Sequence, residues 1–208
     1  QPDLGTVVLL GMVALILLFV AGIRIIYLGG LVLSSLPALY FLVAGVGYRQ
    51  RRILAFLHPW QHASGAGYQI IQSFLALGSG GIRGVGLGES RQKLFYLPAS
   101  YTDFIFSIVG EELGFIGTVS LVVLFLVFLW TGIRVAYQSP DLFGYLLGIG
   151  ITVAISLQAI INIGVATGSL PTKGISLPFI SFGGSSLLFN MMGVGLLLNI
   201  SRRHKGAK

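Results

Sequence analysis

Five stretches of the chain are almost wholly apolar, from about Leu4 to Ala21, Leu28 to Val46, Phe104 to Trp130, Leu142 to Val165 and Leu177 to Ile200. Each is near the roughly 20 residues that a helix rising about 1.5 Å per residue needs to cross a bilayer core. In lipid every backbone N–H and C=O must be paired within its own segment, so helices are the predicted form. Short links, GIRIIY and RVAYQSPD, follow the first and third spans, and GSLPTKGISLP precedes the fifth. The pattern predicts an all-α polytopic membrane protein: one membrane domain over residues 1–208, with about five transmembrane helices.

The connection between the second and third spans, residues 47–103, is longer and patterned. In GYQIIQSFLALGS, Ile70, Ile71, Phe74, Leu75 and Leu77 recur at helical spacing, with Gln69, Gln72 and Ser73 between them. The run is too short to span and predicts a helix lying at the membrane interface. Next comes GSGGIRGVGLGESRQK, where glycines punctuate the cations Arg83, Arg91 and Lys93. Glycines let backbone amides approach a phosphate closely. A flexible surface loop accounts for the same spacing equally well. The G-x-G-x-G of residues 84–88 lacks the strand-to-helix context of a dinucleotide site.

Counting crossings puts the 47–103 connection and the 168–177 loop on one face of the membrane. The tail SRRHKGAK and the loops with Arg24 and Arg134 share the other. The cations of the short tail assign that second face to the cytoplasm and make 47–103 extracytoplasmic. Arg49, Arg51 and Arg52 then lie outside, but charge counts over long loops are poor topology signals.

Composition agrees with a membrane protein. Only 9% of the 208 residues are charged, against about a quarter in soluble domains, and the mean hydropathy is +0.91. The net charge of +7 sits between and after the apolar runs. That placement suits anionic headgroups, a phosphate-bearing lipid substrate or topology control rather than nucleic acid. With no cysteine, disulfides and thiolate metal sites are excluded. His58 and His62 flank Pro59 without an H-E-x-x-H pattern, which argues against zinc. A start at Gln1 with no signal peptide reads as a fragment or processed piece.

Three of the six carboxylates fall in YTDFIFSIVGEELGF. Asp103 stands where an outer loop becomes a helix, which suits either a helix-start carboxylate or a base at the membrane boundary. On one continuous helix Glu111 and Glu112 would lie roughly 12–14 Å deeper than Asp103, pointing elsewhere. That separation exceeds what two carboxylates acting on one glycosidic bond need. Carboxylates inside a span face the bundle interior with partners, so Glu111 and Glu112 are expected as buried network residues. Gln158 and Asn162, four apart, share a helix face and are expected to make interhelical hydrogen bonds. Lys173 in LPTKG shares a membrane face with Asp103. SFGGSS at 181–186 is expected within the first turns of the fifth span, where small residues allow close helix approach.

Together QPDLGT, GYQIIQS, GVGLGES…K…YLP…TDFIFSIVGEELG and LPTKGISLPFISFGGSSL resemble the SEDS family of FtsW, RodA and SpoVE, over almost the whole chain. The GLGES and PTKG forms look more like the FtsW/SpoVE branch. Ala99 and Tyr101 stand where such relatives often carry Glu and His, and Phe182 where Tyr is common. The resemblance implies a multi-pass inner-membrane peptidoglycan glycosyltransferase that polymerises lipid II during cell-wall synthesis, at the division septum for the FtsW branch. It works with a class B penicillin-binding protein and other division or elongation proteins. Family members have about ten spans, so the chain looks like a C-terminal half, and that half alone is not expected to turn over.

The resemblance places the family's essential aspartate at Asp103. A pyrophosphate–polyprenol leaving group is already an anion, so it needs cationic stabilisation rather than a general acid. One carboxylate then suffices, as base for the attacking sugar hydroxyl. Arg83, Arg91, Lys93 and Lys173 are the candidate pyrophosphate contacts, and a divalent ion (Mg or Mn) is the other way to supply the charge. Two alternatives stay open: a transporter that moves lipid II or another polyprenyl substrate, since buried carboxylates suit transporters equally, and a scaffold that recruits division partners.

Overall fold

The computed structural model describes residues 4–45, 47–65, 67–92 and 101–206. The described residues are arranged as helices α1 (Leu4–Val20), α2 (Ile25–Ala44), α3 (Gly47–Leu57), α4 (Tyr68–Gly80), α5 (Ile105–Tyr137), α6 (Leu142–Ala166) and α7 (Gly184–Gly206). A short 3-10 turn over Pro59–His62 joins α3 to α4. Among the described residues, three helices are long and apolar enough to cross a membrane: Ile105–Tyr137, Leu142–Ala166 and Gly184–Arg202. Two shorter apolar helices, Leu4–Val20 and Ile25–Ala38, accompany them.

The centre is the antiparallel pair α5 and α6. Small residues set their approach: a Cβ on Gly132 would meet Thr152 Oγ1 at 2.4 Å, and one on Gly148 would meet Ala136 Cβ at 2.9 Å. Close backbone contact at small residues is how helices associate in lipid, where apolar burial gives no preference. Helix α6 starts on Asp141, whose carboxylate accepts the Gly144 N–H at 2.9 Å. It ends at Gly168, whose φ of +66° admits the left-handed turn that stops a helix. The missing side chain there leaves room for Phe74 of α4, whose Cζ lies 2.3 Å from the position a Cβ would take.

Helix α5 is not the straight span expected from Phe104 to Trp130. At Gly114 the backbone turns non-helical, with φ 66° and ψ −162°, and the helix folds sharply. A Cβ on Gly110 would lie 3.2 Å from Thr118 Cγ2, whereas eight residues of straight helix separate positions by about 12 Å. The first leg, residues 105–113, therefore doubles back beside the second. The second leg, residues 115–137, is about 34 Å long and suffices to span on its own.

The fold-back reverses the expected depths. The pairing of Gly132 with Thr152 and Ala136 with Gly148, continued along both helices, sets Gly114 about 6 Å past the end of α6. The carbonyl of Asp103, by contrast, binds Asn162, one turn inside that end. Asp103 is the deeper carboxylate, and Glu111 and Glu112 lie near the elbow. A periodic apolar run carries no mark of an elbow; one glycine makes the difference.

Backbone groups freed at the elbow are taken up by the chain after α4. Phe115 and Ile116 N–H donate to the Gly81 and Ile82 carbonyls (2.8 and 3.2 Å), and Val85 and Gly86 N–H donate to the Glu111 and Glu112 carbonyls (3.0 and 3.1 Å). Gly84 permits this contact, since a Cβ there would sit 2.1 Å from the Glu112 carbonyl oxygen.

Helix α4, the short helix expected in the outer connection, packs along the first leg with Ile70, Ile71, Ser73, Ala76 and Gly80 buried. Ser73 Oγ hydrogen-bonds to Ser107 Oγ and donates to the Ala166 carbonyl at 2.6 Å. The fifth span begins at Gly184 rather than Leu177. Residues 177–182 instead form a turn in which Phe179 takes φ 68°, a left-handed conformation uncommon for a bulky residue. Ser181, Phe182 and Gly183 of SFGGSS thus precede the helix.

Candidate active site

Asp103 sits in the turn that enters α5, and its backbone is held from two directions. Three consecutive carbonyls are hydrogen-bonded: Tyr101 O accepts Phe182 N–H at 2.8 Å, Thr102 O accepts Ser181 Oγ at 2.6 Å, and Asp103 O accepts Asn162 Nδ2 at 2.8 Å. Ser181 Oγ also accepts the Leu177 N–H at 2.7 Å, closing the turn that carries Phe179. Asn162, 1% exposed, makes a second bond through Nδ2 to the Ile175 carbonyl at 2.7 Å. One amide therefore ties the α5 entry, the 172–176 loop and α6 together. Phe104 and Ile108 pack on Val165 just behind.

The half-buried carboxylate of Asp103 lies against the PTKG loop. A Cβ on Gly174 would come 3.1 Å from its Oδ2 and 3.8 Å from Oδ1. Glycine here lets the loop backbone approach the carboxylate, which places the adjoining Lys173, itself half-buried, on the same loop. Arg52 of α3 donates to the Thr172 carbonyl at 3.4 Å and brings a second cation to this loop. Gly174 also lines a cavity of about 130 Å³ with Thr6, Gln158, Ser176 and Ser186. In that wall the Ser176 and Ser186 hydroxyls are 3.3 Å apart. Gln158 thus faces a polar cavity, while Asn162 one turn on clamps the backbone.

The other predicted residues are elsewhere. Arg83 and Arg91 are exposed on the loop that follows α4, at the elbow end of the first leg. Lys93 lies outside the described residues. Glu111 is 2% exposed and its carboxylate accepts from Ser90 Oγ, Arg91 N–H and Gln92 N–H. Glu112 is half-buried, its carbonyl on Gly86. Among the described residues no three His, Asp or Glu side chains come together to hold a metal ion.

Sequence reasoning missed Arg52, Ser181 and Gly174 as parts of the site. Arg52 lay in a loop set aside for topology, and Ser181 in a motif assigned to a helix. Gly174 carries no chemistry of its own; its signal is the adjacency of PTKG to a lone cation.

What the arrangement offers is a single carboxylate, fixed by its backbone, beside a loop bearing a lysine. A family model described as cell cycle protein, for FtsW, RodA and SpoVE, matches residues 1–206. The "Probable peptidoglycan glycosyltransferase FtsW" of Geobacter metallireducens is 54% identical over 206 residues, covering 99% of this chain and 55% of that protein. Stage V sporulation protein E of Bacillus subtilis is 52% identical over 202 residues, covering 97% and 55%. Among solved structures, the rod shape determining protein RodA of Thermus thermophilus matches with TM-score 0.62 and 30% identity, over 98% of this chain and 51% of that one. A chain from work on polymerization and crosslinking by a peptidoglycan synthase complex matches with TM-score 0.75 and 29% identity, over 98% and 57%. The chain spans about half the length of the curated relatives it matches.

Proposed function

The chain belongs to the cell cycle protein family of FtsW, RodA and SpoVE, a multi-pass membrane protein, and from that premise we propose that it serves a peptidoglycan glycosyltransferase that polymerises lipid II. The observation that carries this reading is the fixing of Asp103 by three consecutive carbonyl hydrogen bonds while its carboxylate lies against Gly174. A base held in place before substrate arrives need not be ordered during the reaction.

In the proposed step Asp103 takes the proton from the attacking sugar hydroxyl as that oxygen bonds to the anomeric carbon. The bond from that carbon to the pyrophosphate breaks, and the polyprenyl pyrophosphate leaves with the electron pair. Because the displacement is single, the anomeric configuration inverts. Charge developing on the pyrophosphate falls to cations. Lys173, which adjoins the Gly174 that lies against the Asp103 carboxylate, is the cation assigned to that charge, while Arg83, Arg91 and Lys93 are candidate contacts for a substrate pyrophosphate. A divalent ion shared between Asp103 and the pyrophosphate oxygens is the other way to supply that charge, since such ions need only one or two protein carboxylates.

The same reading makes a class B penicillin-binding protein the partner and the bacterial plasma membrane the location. It sets the tail after α7 in the cytoplasm and residues 47–103 outside, and the FtsW-like branch directs the activity to the division septum. The transporter reading loses part of its motive, because the carboxylate of Glu111 is occupied by the chain's own loop.

The deciding experiment reconstitutes the complete protein with its transpeptidase partner and supplies lipid II. Asp103→Asn should lower polymerisation at least a thousandfold with thermal stability retained. Polymerisation by that variant at the wild-type rate overturns the assignment of Asp103. A wild type that never polymerises, with lipid movement intact, returns the transporter.

A further inference from the structure

Glu111 is an interior carboxylate that the proposed chemistry does not use. Among the described residues, its side-chain partners come from three consecutive residues of one loop. Ser90 Oγ donates to Oε2, Arg91 N–H to Oε1 at 3.1 Å, and Gln92 N–H to Oε2 at 3.3 Å. Its own backbone carbonyl meanwhile receives Val85 N–H at 3.0 Å. A single residue thus grips both limbs of the loop, 85 on the way out and 90–92 on the way back. The tip between them projects, with Leu87 76% exposed and the Arg83 and Arg91 side chains exposed at its base.

The match is chemical as well as spatial. A carboxylate offers only acceptors, and the loop offers three donors to it. The loop needs such a grip because Gly84, Gly86 and Gly88 all have positive φ, 79°, 117° and 85°. Three such glycines in five residues make an unconstrained segment unusually rich in conformations. Holding the segment in one of them beforehand removes the ordering cost from the binding step.

We propose that Glu111 is a positioning residue that latches loop 84–92, with Arg83 and Arg91, as a preformed finger for an anionic group of the substrate. The latch rests on the function proposed above. Glu111 stands about 12 Å from Asp103 along the first leg. The pyrophosphate that leaves is bonded to the carbon under attack and must lie close to the base. The finger is therefore assigned to the pyrophosphate of the other lipid-linked substrate, whose hydroxyl attacks while its own pyrophosphate stays intact. Its loss raises KM and spares kcat.

The test uses the complete protein with its partner and two variants, Glu111→Gln and the milder Ser90→Ala, which alters the loop side of the latch and leaves α5 untouched. Amide exchange is followed first, without substrate. Exchange at 85–86 and 90–92 should rise at least tenfold in Glu111→Gln, less in Ser90→Ala, with α6 unchanged in both. Steady-state polymerisation then follows with varied lipid II, and KM should rise about fivefold or more while kcat stays within twofold. Unchanged loop exchange in both variants, or exchange rising equally through α6, overturns the latch. A fall in kcat at unchanged KM overturns its role in binding. Because the exchange arm requires no turnover, failure of the polymerase reading is visible separately, as wild type that latches its loop and polymerises nothing.

Discussion

The side-chain amide of Asn162 donates to the backbone carbonyl of Asp103 at 2.8 Å and to that of Ile175 at 2.7 Å. The side chain of the proposed base is thus aimed by a residue that touches its backbone. Replacing Asn162 with Asp keeps the shape and removes both donors. Leaving two buried carbonyls unpaired costs about 1–3 kcal/mol each. Asn162→Asp and Asn162→Leu should both melt at lower temperature and polymerise about 10- to 100-fold more slowly, since small misplacements of reacting groups are that damaging. Turnover at the wild-type rate in a folded Asn162→Leu would show that the clamp does not set the geometry.

Gly174 and Gly114 should respond differently to the same substitution. Gly174 has no positive φ, and its added methyl would stand 3.1 Å from Asp103 Oδ2. Gly174→Ala is expected to keep the wild-type melting temperature and lose about tenfold in rate as the carboxylate is displaced. At Gly114 the φ of +66° with ψ of −162° falls in a region essentially confined to glycine and costs an L-residue about 1–3 kcal/mol, and a Cβ would also lie 2.3 Å from Gly84 N. Gly114→Ala should therefore fail to accumulate as folded protein. The comparison is read by thermal unfolding in detergent alongside polymerisation.

The elbow has a covalent test, made simple by a chain without cysteine. Cysteines at 110 and 118 lie within disulfide reach if the first leg folds back, where a straight helix holds them about 12 Å apart. Gly110→Cys/Thr118→Cys should cross-link intramolecularly under mild oxidant in membranes, detected by loss of thiol labelling. Full labelling of both thiols after oxidation would restore the straight span.

Ser73 joins α4 to both long helices through Ser107 and the Ala166 carbonyl. Ser73→Ala leaves that buried carbonyl without its hydroxyl donor, an expected loss of about 1–3 kcal/mol. A double-mutant cycle with Ser107→Ala should be non-additive, because the two hydroxyls share one network. Additive changes in unfolding free energy would mean that the pair is not coupled.

Much of this architecture was legible because lipid imposes a simple rule. The apolar runs of α1, α2, α5 and α6 stand out for lack of charge. The burial of Glu111 also follows from a carboxylate in an apolar run. Its partners do not, because two of them are backbone N–H groups. The elbow was hidden since Gly114 is one of 30 glycines, and its role lies in a φ value and in the neighbours Ile82 and Gly84 rather than in its identity. Helix α4 showed its helical period but not its burial: Ser73 reads as polar surface until Ser107 and Ala166 are beside it. Asp103 was ambiguous between cap and base on spacing alone; its motif and the clamp of Asn162 and Ser181 give it a different standing.

The cage around Glu111 also bears on how such sequences can drift. Two of its three donors are main-chain amides, which every amino acid except proline supplies. Positions 91 and 92 can therefore exchange side chains widely among relatives while the loop keeps its shape, and only proline is forbidden by the cage itself. Variation there would record changing substrate or partner contacts on an unchanged frame, whereas Ser90, which gives its side chain, is held to residues with a short donor.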